Sequence, residues 1–205
     1  KRQGWVEPGA REDFFSAIDA ANVDLKAFDE DFYRKVCGAS LRPVLDTLVY
    51  LREQTDVWFE ITTLLIPGQN DSDAELREAA RWVATHLGPD VPWHFTAFHP
   101  DYRMRDIAAT PAATLQRART IALDHGLHHV YTGNVRDREG GTTFCAGCGA
   151  RLIVRDGYEI VGWGLDASGS CRQCGARCAG VFEPQPGTWG ARRQPVRLAE
   201  TEAFA

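Results

Sequence analysis

Two hydrophobic periods alternate along the first two thirds of the chain. Residues 10–19 are short and amphipathic, which predicts a helix, and residues 20–28 read as a strand whose polar face lies near its end. Val44, Leu45, Leu48 and Leu51 share one helical face, and Pro43 fits that helix's first turn, where its missing N–H costs nothing. Residues 57–66 form a β-branched and aromatic run closed by Pro67-Gly68, and so predict a strand. Ser72-Asp73-Ala74-Glu75 is a capping box that opens a helix carrying Leu76, Ala79, Ala80, Val83 and Leu87, which Gly88-Pro89 stops. Residues 93–98 predict another strand. Thr110-Pro111 caps a further helix with Leu115, Ala118, Ile121 and Ala122, and residues 127–131 predict a last short strand.

Strands alternating with helices of this length imply an α/β fold with a parallel sheet and helices outside it. Neither G-x-G-x-x-G nor G-x-x-x-x-G-K-[ST] occurs, so dinucleotide and P-loop readings lose their main support. Near residue 139 the pattern changes. Short β-rich pieces, glycines and cysteines follow, with a hairpin expected over 151–156 and 158–165 through Asp156-Gly157. Three parts result: 1–138, a small domain over 139–183, and a tail over 184–205.

Composition narrows the function classes. The 205 residues are 44% hydrophobic and 25% charged, ordinary for a globular protein, and no run reaches the ~20 apolar residues of a spanning helix. A net charge of −5 argues against a dedicated nucleic-acid binder. The chain opens on Lys1 with no start signal of its own, which points to a piece of a longer protein. No secretory signal pattern is visible, and the cysteine usage fits a reducing, cytoplasmic setting.

The strongest chemical motif is Cys145-x2-Cys148-Gly, 22 intervening residues, then Cys171-x2-Cys174-Gly. Two residues between cysteines let one tight turn aim both sulfurs at one ion. The following glycine permits a positive φ, so that backbone N–H groups can face the thiolates. Two such turns supply a tetrahedral set of four thiolates, a closed structural zinc ribbon with no open position for catalysis. Rubredoxin-like iron and a redox dithiol share this spacing. Cys178 reads as a bystander, and Cys37 stands alone.

Other polar residues gather where strands end, the rim on which (β/α) barrels assemble their sites. Asp24 and Lys26 are two apart and share a strand face. From spacing alone a plain salt bridge is the ordinary reading, and a site for a zwitterionic ligand is the sharper one. Glu60 interrupts an apolar strand, so it faces a polar interior or an edge. His94 and His99 point to opposite faces of a regular strand, as do His128 and His129, so neither pair predicts a metal site. The loop Pro67-Gly-Gln-Asn-Asp71 is as consistent with a turn as with a functional loop.

Four segments in order, ANVDLKAF at 21–28, TTLLIPGQND at 62–71, PWHFTAFHPDYRM at 92–104 and VYTGNV at 130–135 followed by the C-x-x-C-G knuckles, together resemble one family. It is the radical S-adenosylmethionine (SAM) enzyme of the AmmeMemoRadiSam system, a relative of the pyruvate formate-lyase activating enzymes. The resemblance implies the C-terminal half of a partial (β/α)6 TIM-like barrel, strands four to six, followed by the ribbon. It implies SAM and a [4Fe–4S] cluster as cofactors, and reductive cleavage of SAM to a 5′-deoxyadenosyl radical that abstracts hydrogen. The family's C-x3-C-x2-C cluster loop is absent from this chain, so this piece alone is expected to be inactive. By resemblance Asp24, Lys26 and His99 contact SAM, and residues 66–68 match a strand-five loop. Ala97 stands where relatives often carry Arg. The implied substrate is a protein, peptide or small molecule, with Memo-type partners by analogy.

The competing reading is a non-catalytic zinc-ribbon module that binds protein or nucleic acid, supported by the basic residues Arg192, Arg193 and Arg197, although a solvated tail is the ordinary reading of that stretch in a chain of net negative charge. A third reading is a complete metabolic enzyme, which would need more strands to close a barrel. A half barrel with an unpaired sheet edge is expected to be unstable alone.

Overall fold

The computed structural model describes residues 6–188, 190–192 and 195. Arg193, Arg197 and most of the basic stretch lie outside the described residues.

Four strands, β1 (Ala20–Asp24), β2 (Trp58–Leu65), β3 (Trp93–Ala97) and β4 (Val130–Gly133), form one parallel sheet in the order β1-β2-β3-β4. Helices α3 (Leu41–Gln54), α4 (Asp73–His86) and α5 (Ala112–Asp124) make the crossovers. The predicted parallel α/β sheet is therefore present. It is open among the described residues, and β1 pairs only with β2.

Strict alternation explains why only one face is dry. In β2, Phe59, Ile61, Thr63 and Leu65 are buried against the helices, while Trp58, Glu60, Thr62 and Leu64 are half-buried on the opposite face. The helices present Val44, Leu48 and Leu51, then Leu76, Ala80 and Val83, then Leu115, Ala118 and Ala122 to that dry side. Each fully buried Leu, Val or Ile contributes roughly 1.5–3 kcal/mol of transfer free energy. The other face remains polar: Asn22 and Asp24 of β1, Glu60 and Thr62 of β2, His94 and Thr96 of β3 and Tyr131 of β4.

Several boundaries differ from the sequence reading. The first helix is only α1 (Arg11–Phe15), after a 3-10 turn over Pro8–Ala10. The first strand ends at Asp24; the Leu25 N–H still donates to the Thr62 carbonyl at 3.0 Å, and the chain turns away after it. A short helix α2 (Glu30–Phe32) and a π turn (Tyr33–Cys37) follow, which hydrophobic periodicity did not signal. Thr110 does not cap α5. Its hydroxyl donates to the Leu65 carbonyl at 2.6 Å and accepts from the Phe98 N–H at 3.0 Å, while Pro111 occupies the cap.

A second, antiparallel sheet of β5 (Thr143–Phe144), β6 (Arg151–Asp156) and β7 (Glu159–Trp163) follows. Gly157 takes φ +60° at the predicted hairpin turn. This sheet is tied to β4: Tyr131 Oη lies 2.9 Å from Thr143 Oγ1, and Arg155 Nη1 donates to that same Oγ1 at 2.9 Å.

Candidate functional site

At the carboxyl ends of the parallel strands, Asp24 and Lys26 form an ion pair, Oδ2 to Nζ 2.9 Å, with the ammonium side chain 19% exposed. Both face the polar side of the sheet, as their spacing predicted. Lys26 is held from behind. Its backbone N–H donates to Tyr33 Oη at 2.9 Å, and its carbonyl accepts from Asn70 Nδ2 at 2.7 Å. Burial pushes the Tyr33 phenol well above its ordinary range, so it stays protonated.

Asn70 is the residue that sequence reasoning left undecided within its loop. It is 2% exposed. Its amide also donates to the Leu64 carbonyl at 2.9 Å, and its Oδ1 accepts from the Ile66 N–H at 2.7 Å. One side chain thus joins the ends of β1 and β2. The loop is therefore built, and its signal was an Asn two residues after a Pro-Gly pair.

His99 follows β3 at the same rim and is exposed. It stands two strands from Lys26, a lateral separation of about 10 Å at ordinary strand spacing. The structure thus brings Asp24 and Lys26 into contact and sets His99 at the same mouth without a contact to either.

Lower on the polar face, Glu60 resolves its two alternatives. It lies on a central strand and faces inward, with His94 Nε2 2.7 Å from its Oε2 and Trp58 Nε1 3.4 Å from its Oε1. The hydrogen bond from His94 lowers the Glu60 pKa, against the opposing effect of burial. His94 in turn stacks on Tyr131 at 5.0 Å. His94 is therefore half of a carboxylate–imidazole pair, and its partner is 34 residues away in sequence.

In turns beside the second sheet, Cys145, Cys148, Cys171 and Cys174 bring their four Sγ atoms within 4.8 Å of one another. Cys145 to Cys174 is 3.6 Å and Cys148 to Cys171 is 3.8 Å. These separations are too long for a disulfide of about 2.05 Å. They match the edge of about 3.8 Å of a tetrahedron with metal–sulfur bonds of about 2.3 Å. The donor set therefore fits one ion. The two knuckles are built alike: Gly149 N–H donates to the Cys145 carbonyl at 2.9 Å, and Gly175 N–H to the Cys171 carbonyl at 2.8 Å. Gly149 and Gly175 take φ +72° and +77°, as the motif required. The Cys174 and Gln173 N–H groups draw the Cys171 thiol down to about 7, against burial. Cys178 is buried, outside the quartet, and burial pushes its thiol up to about 11. Cys37, half-buried, is likewise raised by burial.

No protein-family model matches the chain. An uncharacterized protein of Methanocaldococcus jannaschii is 42% identical over 161 residues, 78% of this chain and 48% of that protein. A second protein of that organism, described as a "putative glycyl-radical enzyme activating enzyme", is 31% identical over 84 residues, 40% of this chain and 31% of its own length. The chain thus spans half or less of the curated relatives it matches. Among solved structures, a domain of pyruvate-formate lyase-activating enzyme from Bacteroides vulgatus superposes with a TM-score of 0.54 at 18% identity, over 62% of this chain and 75% of that domain. Over 84 residues the chain is similar to that putative activating enzyme. It shares its fold with that domain. No described helix is long and apolar enough to cross a membrane.

Proposed function

We propose that this chain is the C-terminal portion of a radical SAM enzyme of the AmmeMemoRadiSam type, cytoplasmic, with the parallel sheet as the rear half of its barrel. The observation that carries the reading is the Asp24–Lys26 pair at the strand ends, on a sheet shared with an activating-enzyme domain. The sequence likeness to the activating-enzyme relative supports it.

On this reading Lys26 and Asp24 orient the charged end of SAM, and His99 reaches its adenosyl part. Asn70 and Tyr33 fix the Lys26 backbone, so the ammonium is positioned before ligand arrives. None of these groups is a nucleophile. When bound, the cluster and SAM supply a one-electron reductive cleavage that produces a hydrogen-abstracting 5′-deoxyadenosyl radical. The chain contains no C-x3-C-x2-C, so its residues do not fit the cluster, whose ligands belong to the remainder of a longer protein. The four-cysteine site would hold zinc as a closed structural ion. Residues 1–138, 139–183 and 184–205 form the barrel part, the ribbon and a tail. A Memo-type partner and a protein or peptide substrate complete the proposal.

The test uses the longer protein, reconstituted with iron and sulfide and reduced by dithionite. Formation of 5′-deoxyadenosine from SAM is expected, and Lys26→Ala should weaken SAM binding about tenfold or more, the scale of one charge-assisted contact. Absence of 5′-deoxyadenosine from cluster-loaded protein would defeat the reading. The non-catalytic alternative then becomes the leading account.

A further inference from the structure

The polar face of the parallel sheet and the inner side of the second sheet enclose a cavity of about 940 Å³. That is the size of a small-molecule site. Its lining includes Trp58, Glu60, His94, His129, Tyr131 and Arg155, and it excludes Asp24, Lys26 and His99. The space therefore leaves out the Asp24–Lys26 pair and His99, although it reaches the carboxyl end of β4 at Gly133 and Asn134.

Its charged lining is Glu60, Asp137, Asp156, Arg136, Arg138 and Arg155, three of each sign. Glu60 is taken by His94 and Trp58. Asp137 accepts from the Gly140 N–H at 3.0 Å and from Thr132 Oγ1 at 3.1 Å. Asp156 lies 3.7 Å from Arg136. Arg155 is different. Its Nη1 donates to the Gly141 carbonyl at 3.0 Å and to Thr143 Oγ1, and the guanidinium lies 5.8 Å from the Tyr131 ring centre. These contacts fix its plane and leave Nε and Nη2 with no partner among the described residues. A guanidinium edge held this way is pre-organised for a planar anion.

A second lining residue also carries an unpaired polar atom, one closed to solvent and so set behind the cavity wall. His129 is 4% exposed, lines the cavity, and its Nδ1 has no hydrogen-bond partner among the described residues. Buried polar atoms normally have partners. Glu60, His94 and His129 do not converge as ligands of one ion. Among the described residues only the four ribbon cysteines do. A polar organic molecule, rather than a cation, suits this donor set.

We propose that the cavity binds a small organic anion, a carboxylate or phosphate ester on a flat apolar body, with Arg155 gripping the anion and Trp58 and Tyr131 flanking the body. The proposal needs neither SAM nor a cluster, so its assay fails or succeeds independently of the function proposed above.

The test titrates benzoate, phenyl phosphate and the uncharged isostere benzamide into the full chain, followed by the Trp58 indole and Arg155 Nε–H resonances. Both anions should bind and move those resonances, with benzamide at least about tenfold weaker, the scale of one charge-assisted hydrogen bond. Tighter phenyl phosphate assigns a phosphate ester, and tighter benzoate assigns a carboxylate. Arg155→Gln should abolish the preference for anions. Because Arg155 also ties the two sheets together, Glu60→Gln provides the complementary variant. It leaves the Arg155 contacts in place, removes a nearby negative charge, and should tighten benzoate severalfold. Equal binding of benzoate and benzamide, shifts confined to other residues, or no gain in Glu60→Gln would overturn the proposal.

Discussion

Asn70 concentrates more of the site's organisation than any charged residue. It satisfies the Lys26 and Leu64 carbonyls and the Ile66 N–H while almost fully buried. Asn70→Ala should lower unfolding free energy by about 2–4 kcal/mol, since each buried backbone group left unpaired costs about 1–3 kcal/mol and water recovers part of it. Urea denaturation measures this. Asn70→Asp keeps the acceptor and loses both donors, so it should also destabilise. His129 sets an acid-side limit on stability. Burial lowers its pKa from the ordinary 6.5, with Asp90 and Glu60 opposing and His128 reinforcing. The unfolded chain therefore binds more protons as pH falls below 6.5, and stability from this group is full above 6.5 and declines below it. His129→Phe should flatten the fall in melting temperature between pH 7 and 5.

Among the elements, the strands were readable because alternation in β2 and β3 maps onto buried and half-buried faces. The four-cysteine cluster was readable because the knuckle geometry is local. What sequence did not show depends on distant partners. Residues 29–37 lack an apolar period, and their turn is held by Tyr33, 1% exposed, whose hydroxyl meets Lys26. The Glu60–His94 pair spans two strands. The capping box at α4 is a partial case. Ser72 accepts from the Glu75 N–H at 3.3 Å as the motif predicts, but Glu75 Oε1 accepts from the Phe28 N–H at 2.7 Å instead of turning back. The box residue has become a strap between α4 and the loop after β1. Ser72→Ala should therefore cost about 1 kcal/mol. Glu75→Gln should keep the Phe28 bond and remain near wild type at neutral pH, whereas Glu75→Ala should not. Thermal melts of the three variants separate the two roles.

For the whole molecule, the two sheets draw on different sources of stability. The parallel sheet has a continuous core of helix-facing residues, while the second sheet has a small cluster around Leu152, Ile153 and Leu165. Chelation of the metal, or Cys148→Ser, should unfold the second sheet while the far-ultraviolet signal of α3 to α5 persists, since small metal domains draw much of their folding energy from the ion. Chain concentration should also matter. The unpaired backbone of β1 favours strand addition between copies, so the melt should depend on concentration. A transition independent of concentration would contradict this.

That same bare edge is a seam. Successive strands here pair only with their sequence neighbours, so the sheet can grow from one side without disturbing what already stands. A separately expressed polypeptide carrying an adjoining strand could dock along β1 and be joined by backbone hydrogen bonds alone. The boundary before β1 is thus a natural cut point for a split protein, whose two pieces report their reunion when mixed.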